Sequence, residues 1–253
     1  MNFFFGIEDK KFKSEITIPR FKNKGKVDTK YNLYQAEIYL NKWRVTKLDE
    51  CILNNYFFQI KDNLIDNNKI FFLASEEELK KFDNDKIKNI SDFTETSPEF
   101  RANLKTYIQD GGFSSYQSEY PFQMIIKKGN ILTSISTISN KNADKNYLIF
   151  RNIYHKPIQE IFFAYFVDIK NKKILEKIEI KTNFSNFLEI PNSLIRPEIY
   201  IMTDNFLGIP IFLSEHNGHL SFEHTHPPHE YFLSKNKFEQ VSKLKKEIYE
   251  IIN

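Results

Sequence analysis

The sequence predicts a mainly β protein of antiparallel sheets. A small α+β N-terminal region is expected to precede a sandwich or barrel-like C-terminal domain, with an amphipathic helix at the C-terminal end. Three observations carry this reading. Beyond about residue 100, short apolar or alternating runs recur at spacings near the roughly 8–12 residues typical of sandwiches and barrels. Turn signals such as Asp110-Gly111-Gly112, Lys170-Asn171-Lys172 and Asn217-Gly218 separate them. From Ser234 the period changes: Phe238, Val241, Leu244, Ile248 and Ile251 fall at the steps of three and four that give a helix one apolar face.

Taken in order, residues 1 to about 30 are basic and weakly patterned, with one alternating piece at Ile16-Thr17-Ile18 stopped by Pro19. Between Tyr31 and Val45 the apolar spacing is ambiguous, and we read it as strand. Tyr56–Ile60 and Ile70–Leu73 have strand length. Ser75 followed by Glu78 is a capping box, in which hydroxyl and carboxylate each satisfy an exposed backbone N–H, so a short helix over Glu76–Phe82 is expected. The polar stretch Asp83–Pro98 suggests a boundary, dividing the chain into 1–96, 97–233 and 234–253. Strands are then expected over Phe100–Ile108, Phe122–Ile126, Ile131–Ile138 and Tyr147–Phe150. A hairpin follows from Ile158–Ile169 and Lys173–Lys181, and then strands over Asn186–Ile190 and Glu198–Met202.

Composition narrows the function classes. Basic and acidic residues number 36 and 33 and are interspersed, whereas a nucleic-acid binder concentrates basic charge on one face, so no nucleic-acid partner is expected. The apolar run Phe3–Gly6 is too short for a signal peptide, and no stretch reaches the roughly 20 apolar residues of a spanning helix. The single cysteine, Cys51, cannot form an internal disulfide and suits a reducing compartment. We therefore expect a soluble, cytoplasmic protein without a membrane partner.

Five of the six histidines lie between Gly208 and Glu230. Asn217-Gly218 between two apolar runs signals a type I′ hairpin, because that turn needs positive φ at both central residues. The two-residue loop sets a register pairing His216 with His219, Leu213 with Phe222, Ile211 with His224 and Ile209 with His226. The period of two then groups His224 and His226 with Ile209, Ile211, Leu213, Leu220 and Phe222, leaving His216 and His219 beside an exposed turn. Two imidazoles on one side of a strand can share an ion, and neutral imidazole is a common metal ligand. His229 or Glu230, beyond the stiff Pro227-Pro228, would complete the shell. Two imidazoles and a carboxylate suit Fe, and three imidazoles suit Zn.

The spacing Gly218, five residues, His224-Thr225-His226, three residues, Glu230 resembles the first motif of the cupin family over about 13 residues. Membership would imply a small β-barrel holding Fe, Mn, Ni or Zn, with His224, His226 and Glu230 as ligands. Lys237 stands where that pattern has glycine, and the tail after it is too short for the family's second motif.

The expected function is a metal-dependent enzyme acting on a small molecule or sugar, with His224, His226 and His229 as ligands and Glu230 or His229 as acid or base. The alternative is a non-enzymatic β-sandwich interaction or assembly module, forming a homo-oligomer, in which the histidines are structural. A polar, aromatic cluster over Asp110–Pro121 suits sugar or peptide contacts and equally suits a hairpin loop.

Overall fold

Strand formation begins where the apolar residues are densest. Phe3 and Phe4 are fully buried in the strand Asn2–Phe4, and Phe5 just after it is fully buried too, in the very stretch whose basic surroundings had obscured any pattern. The computed structural model describes residues 1–22, 26–91, 93, 101–109, 111–117, 119–130, 132–137, 139–224 and 237–253. The chain is mainly β, in antiparallel sheets, with a C-terminal helix. It forms two compact units that interleave along the sequence. The first holds Met1–Ile126, Ile153–Gln159 and Asn183–Ser185, and the second Lys127–Asn152, Glu160–Thr182 and Asn186–Asn253.

In the first unit the strands are β1 (Asn2–Phe4), β2 (Phe12–Pro19), β3 (Phe21–Lys22), β4 (Lys26–Val27), β5 (Asn32–Tyr39), β6 (Lys42–Lys47), β7 (Ile52–Asn54), β8 (Phe57–Ile60), β9 (Ile70–Ala74), β10 (Asn103–Ile108), β11 (Phe113–Gln117) and β12 (Tyr120–Pro121). They make one sheet of order β12-β1-β9-β5-β6, a second of order β11-β10-β2-β8-β7, and the β3–β4 ribbon. The two five-stranded sheets each join strands from both sides of the expected 96/97 boundary, since β12 pairs with β1 and β10 with β2. The first hundred residues are accordingly strand-rich. Their one α-helix among the described residues is the single turn α1 (Glu76–Leu79), capped as predicted. Ser75 Oγ accepts the Glu78 N–H at 3.2 Å, and Glu78 Oε2 accepts the Ser75 N–H at 2.7 Å.

One further turn of helix, α2 (Phe122–Ile125), replaces the strand expected there. Pro121, at φ −70, sets the extended residue before it, and only Ile125 of the turn is buried, so this run had no sheet to join.

The second unit contains β13 (Leu132–Ser134), β14 (Lys145–Arg151), β15 (Ile161–Asp168), β16 (Lys173–Lys181), β17 (Ser185–Ile190, whose first residue belongs to the first unit), β18 (Ile199–Thr203), β19 (Ile209–His216) and β20 (His219–His224). Their sheets have orders β13-β18-β15-β16 and β17-β14-β19-β20. The alternating run expected over Ile131–Ile138 is strand only as far as Ser134, and Ile135–Thr137 tighten into a 3₁₀ turn. Helix α3 (Lys237–Ile252) seats Ile248 in a core with Leu132, Tyr165, Val167 and Met202, so its apolar stripe packs on the first of these sheets as its period predicted. Among the described residues no helix is long and apolar enough to cross a membrane. A Cβ at Gly208 would collide with the Phe150 ring and the Arg151 carbonyl oxygen, so glycine allows the close approach into β19.

Two side chains hold segments that have no strand partner. Asn183, at φ +54 and buried, donates through Nδ2 to the carbonyls of Lys156 and Ile158, both at 2.9 Å, while its Oδ1 accepts the Tyr154 N–H at 2.7 Å. The buried carboxylate of Asp168 closes the β15–β16 turn. It accepts the Asn171 N–H at 2.9 Å and the Asn171 side-chain amide at 2.8 Å, with an Arg196 guanidinium nitrogen at 3.4 Å. Those Asn171 hydrogen bonds first, and Arg196 after them, hold the Asp168 carboxyl below the usual carboxylate range.

Replacing Asn183 with alanine removes three hydrogen bonds and leaves a β-carbon in the left-handed region, so urea unfolding should show a loss of about 2–4 kcal/mol. Asp168 contributes stability that is present above the ordinary carboxylate pKa and disappears as pH falls through its lowered folded value. Asp168→Asn should therefore flatten the acid side of the stability–pH curve. Unchanged acid dependence would contradict this.

Candidate functional site

The histidine hairpin forms in the predicted register. Asn217 and Gly218 have φ of +49 and +76, and His216 pairs with His219, Leu213 with Phe222 and Ile211 with His224. Asp144 clips the turn: its Oδ2 accepts the Asn217 N–H at 2.7 Å, and its Oδ1 lies 3.5 Å from His216 Nδ1. Both side chains are about half exposed, as expected for residues beside an exposed turn. His224 closes β20, while His226, His229 and Glu230, with the Ile209–His226 pairing, lie outside the described residues. Among the described residues no group of three or more His, Cys, Asp or Glu could hold a metal ion. Cys51 is buried, and burial pushes its thiol up to about 11, which keeps it protonated at neutral pH. The serine- and tyrosine-rich cluster forms the edge strand β11 and the short β12, apart from Asp110 and Ser118, which lie outside the described residues.

A different site lies in the N-terminal hundred residues, where sequence reading found none. A pocket of about 480 Å³ opens beside the β5–β6 turn, lined by Tyr39, Leu40, Trp43, Arg44, Phe82 and Asn84 among others. The two strands run antiparallel from Tyr34–Lys47 to Tyr39–Lys42 and are joined by Leu40 and Asn41 alone, at φ +50 and +58. Positive φ at both positions matches the twist of a two-residue hairpin. Leucine is a poor occupant of that region, where its Cβ crowds the carbonyl oxygen, and here its side chain is 79% exposed. The turn thus holds a strained, exposed apolar residue at the rim of a pocket.

Each wall has an identifiable support. The Arg44 guanidinium lies 4.5 Å above the Tyr39 ring and is held by Glu37 Oε1, at 3.1 Å from Nε and 2.5 Å from Nη2. Glu37 and Arg44 are cross-strand partners, which places that ion pair directly across the hairpin. Phe82 stacks on Phe72 at 5.8 Å and 10°, and Phe72 on Tyr34 at 5.7 Å and 26°, so this wall continues into the core of the unit. Trp43 is buried, with its N–H donating to Asn84 O at 2.7 Å and its indole Nε1–H to His155 O at 2.9 Å.

His155 is the support behind the indole. Its carbonyl accepts two donors, the Trp43 indole and the Ile87 N–H at 2.9 Å, and its own N–H donates to Ile125 O at 3.0 Å. The ring packs against Tyr154, with centroids 4.5 Å apart. It is 8% exposed, and neither ring nitrogen has a hydrogen-bond partner among the described residues. Burial first, then the cations of Lys86 and Lys156, pushes its pKa below the ordinary histidine value, so the ring is neutral at pH 7.

No carboxylate, histidine or cysteine is among the described residues that line this pocket. Its chemistry is that of contact, with aromatic and aliphatic faces, the Asn84 amide and the cations of Lys42 and Arg44. The sequence held two partial signals for it, the single tryptophan and the alternation on either side of Leu40-Asn41. No protein-family model, no curated protein and no solved structure matches this chain. The likeness to the cupin motif therefore rests on its short spacing alone.

If Leu40 is strained, Leu40→Gly should be neutral or should stabilise the fold by up to about 1 kcal/mol, because glycine adopts positive φ without the Cβ clash. A drop of similar size in urea unfolding would argue against strain at this turn.

Proposed function

We propose that this chain is a non-enzymatic binding module whose β5–β6 pocket takes a small carbohydrate or a similar ligand with a flat apolar face edged by hydroxyls. The observation that carries the reading is the lining itself. Tyr39 and Phe82 offer ring surface with the buried Trp43 indole behind them, Asn84 and Arg44 offer donors, and no acid–base pair accompanies them. Aromatic walls with a few polar groups are the usual make-up of a small-ligand site. A reducing, cytoplasmic setting suits a chain whose one cysteine is buried and has no second cysteine to pair with.

Trp43 is the only tryptophan, so its fluorescence reports on this pocket without interference. Titration with a panel of mono- and oligosaccharides should give a saturable change for at least one sugar. Tyr39→Ala should weaken that binding about tenfold, equivalent to roughly 1.4 kcal/mol of lost ring contact. A flat response across the panel, or equal affinity in Tyr39→Ala, would count against the reading.

A second reading keeps the metal-dependent enzyme, and the predicted register of the histidine hairpin favours it, since Ile211 does pair with His224. In it His224, His226 and His229 would hold Fe or Zn, with Glu230 as acid or base. Protein purified without a histidine tag should then carry about one equivalent of metal, and His224→Ala with His226→Ala should remove it. Metal-free protein would set this reading aside.

A further inference from the structure

We propose that His155 is a pH-sensitive latch for the β5–β6 pocket: when its buried ring takes up a proton, the segment Ile153–Gln159 loosens and the Trp43 indole loses its acceptor. The consequence for ligand binding rests on the pocket being a binding site, but the latch itself does not.

The geometry makes this ring a poor place for a charge and an effective place from which to act. Both nitrogens are buried without a hydrogen-bond partner among the described residues, so an imidazolium would add a second buried donor in need of an acceptor. The charged groups around it do not offset that. Lys156 on its own segment and Lys86 on the loop after α1 both oppose the charge. The carboxylates of that loop are engaged elsewhere, Asp83 with Lys88 at 2.8 Å and Asp85 with Lys42 at 3.5 Å. Strand β6 presents Trp43 and the α2 end presents the Ile125 carbonyl, neither of which can carry a compensating charge.

The same residue's backbone ties together three parts of the unit, through Trp43, Ile87 and Ile125. A displaced ring therefore displaces the indole's acceptor. The sign follows from linkage: the closed form binds the proton more weakly than an open form with an ordinary histidine, so closure is complete above the ordinary pKa and is lost as pH falls below it.

The test uses the full chain and no ligand. Emission and acrylamide quenching of Trp43 are followed from pH 8 to pH 5, with far-UV circular dichroism to show that the sheets persist. The wild type should red-shift and become severalfold more quenchable in a single-proton transition below the ordinary histidine range. His155→Phe, which keeps a ring and cannot titrate, should hold the neutral-pH spectrum throughout. Lys86→Gln, which removes one opposing cation, should move the midpoint to higher pH and serves as the test if the phenylalanine variant does not fold. No transition in the wild type, an equal transition in His155→Phe, or an unmoved midpoint in Lys86→Gln would overturn the latch. A sugar panel without response beside an intact His155-dependent transition would remove the binding reading and leave the latch standing.

Discussion

The first unit depends on how the backbone of Ile153–Gln159 is satisfied. Buried peptide groups must find partners, and this segment lies in no strand, so it has no ladder to supply them. The side chain of Asn183 takes over that role at Tyr154, Lys156 and Ile158, and the peptide groups of His155 reach Ile87, Ile125 and the Trp43 indole. Asparagine suits the position twice, because its amide both donates and accepts and because it tolerates the left-handed backbone that aims it. A neighbouring residue adds a further tie. Ser185 donates through Oγ to Gly6 O at 3.0 Å, and its N–H donates to Asn67 O at 2.9 Å. Two short pieces, 153–159 and 183–185, thus become part of a unit otherwise built from the first 126 residues.

That arrangement explains why the pocket is firm at one wall and strained at another. Trp43 is held at both its main-chain and indole nitrogens, and Phe82 is held by a stack that runs through Phe72 to Tyr34. Leu40, across the mouth, sits in a backbone region that suits it poorly and projects into solvent. Strained backbone persists when its surroundings over-determine it, and such positions gather at binding sites. Here the antiparallel ladder of β5 and β6 imposes the turn, and the Arg44–Glu37 pair beside Tyr39 reinforces it.

What could be read from the residues alone follows turn chemistry closely. Asn217-Gly218 names its own hairpin, and the whole β19–β20 register came with it. Leu40-Asn41 makes the same kind of turn, but leucine at positive φ carries no such signal, so β5 and β6 were legible only as one ambiguous apolar stretch. The Ser75–Glu78 box and the period of α3 were readable because both act over a few neighbouring residues. The Asn2–Phe4 strand was hidden because its partners, Phe71, Phe72, Tyr120 and Pro121, are remote in sequence. The candidate site divides in the same way. A crowd of histidines draws the eye in the sequence, whereas the pocket is assembled from residues 39–45 and 79–84, with its support at 155. No local pattern links those three stretches.

The dependence of the pocket on the 153–159 segment can be measured at one atom. The single indole of Trp43 gives one Nε1–H resonance, and its exchange with solvent reports whether the bond to the His155 carbonyl persists in the native state. Strong protection in the wild type, lost in Asn183→Ala while the protons of β2 and β10 stay protected, is the result this account predicts. An indole proton that exchanges rapidly in the wild type, or one whose protection survives the loss of Asn183, would contradict it.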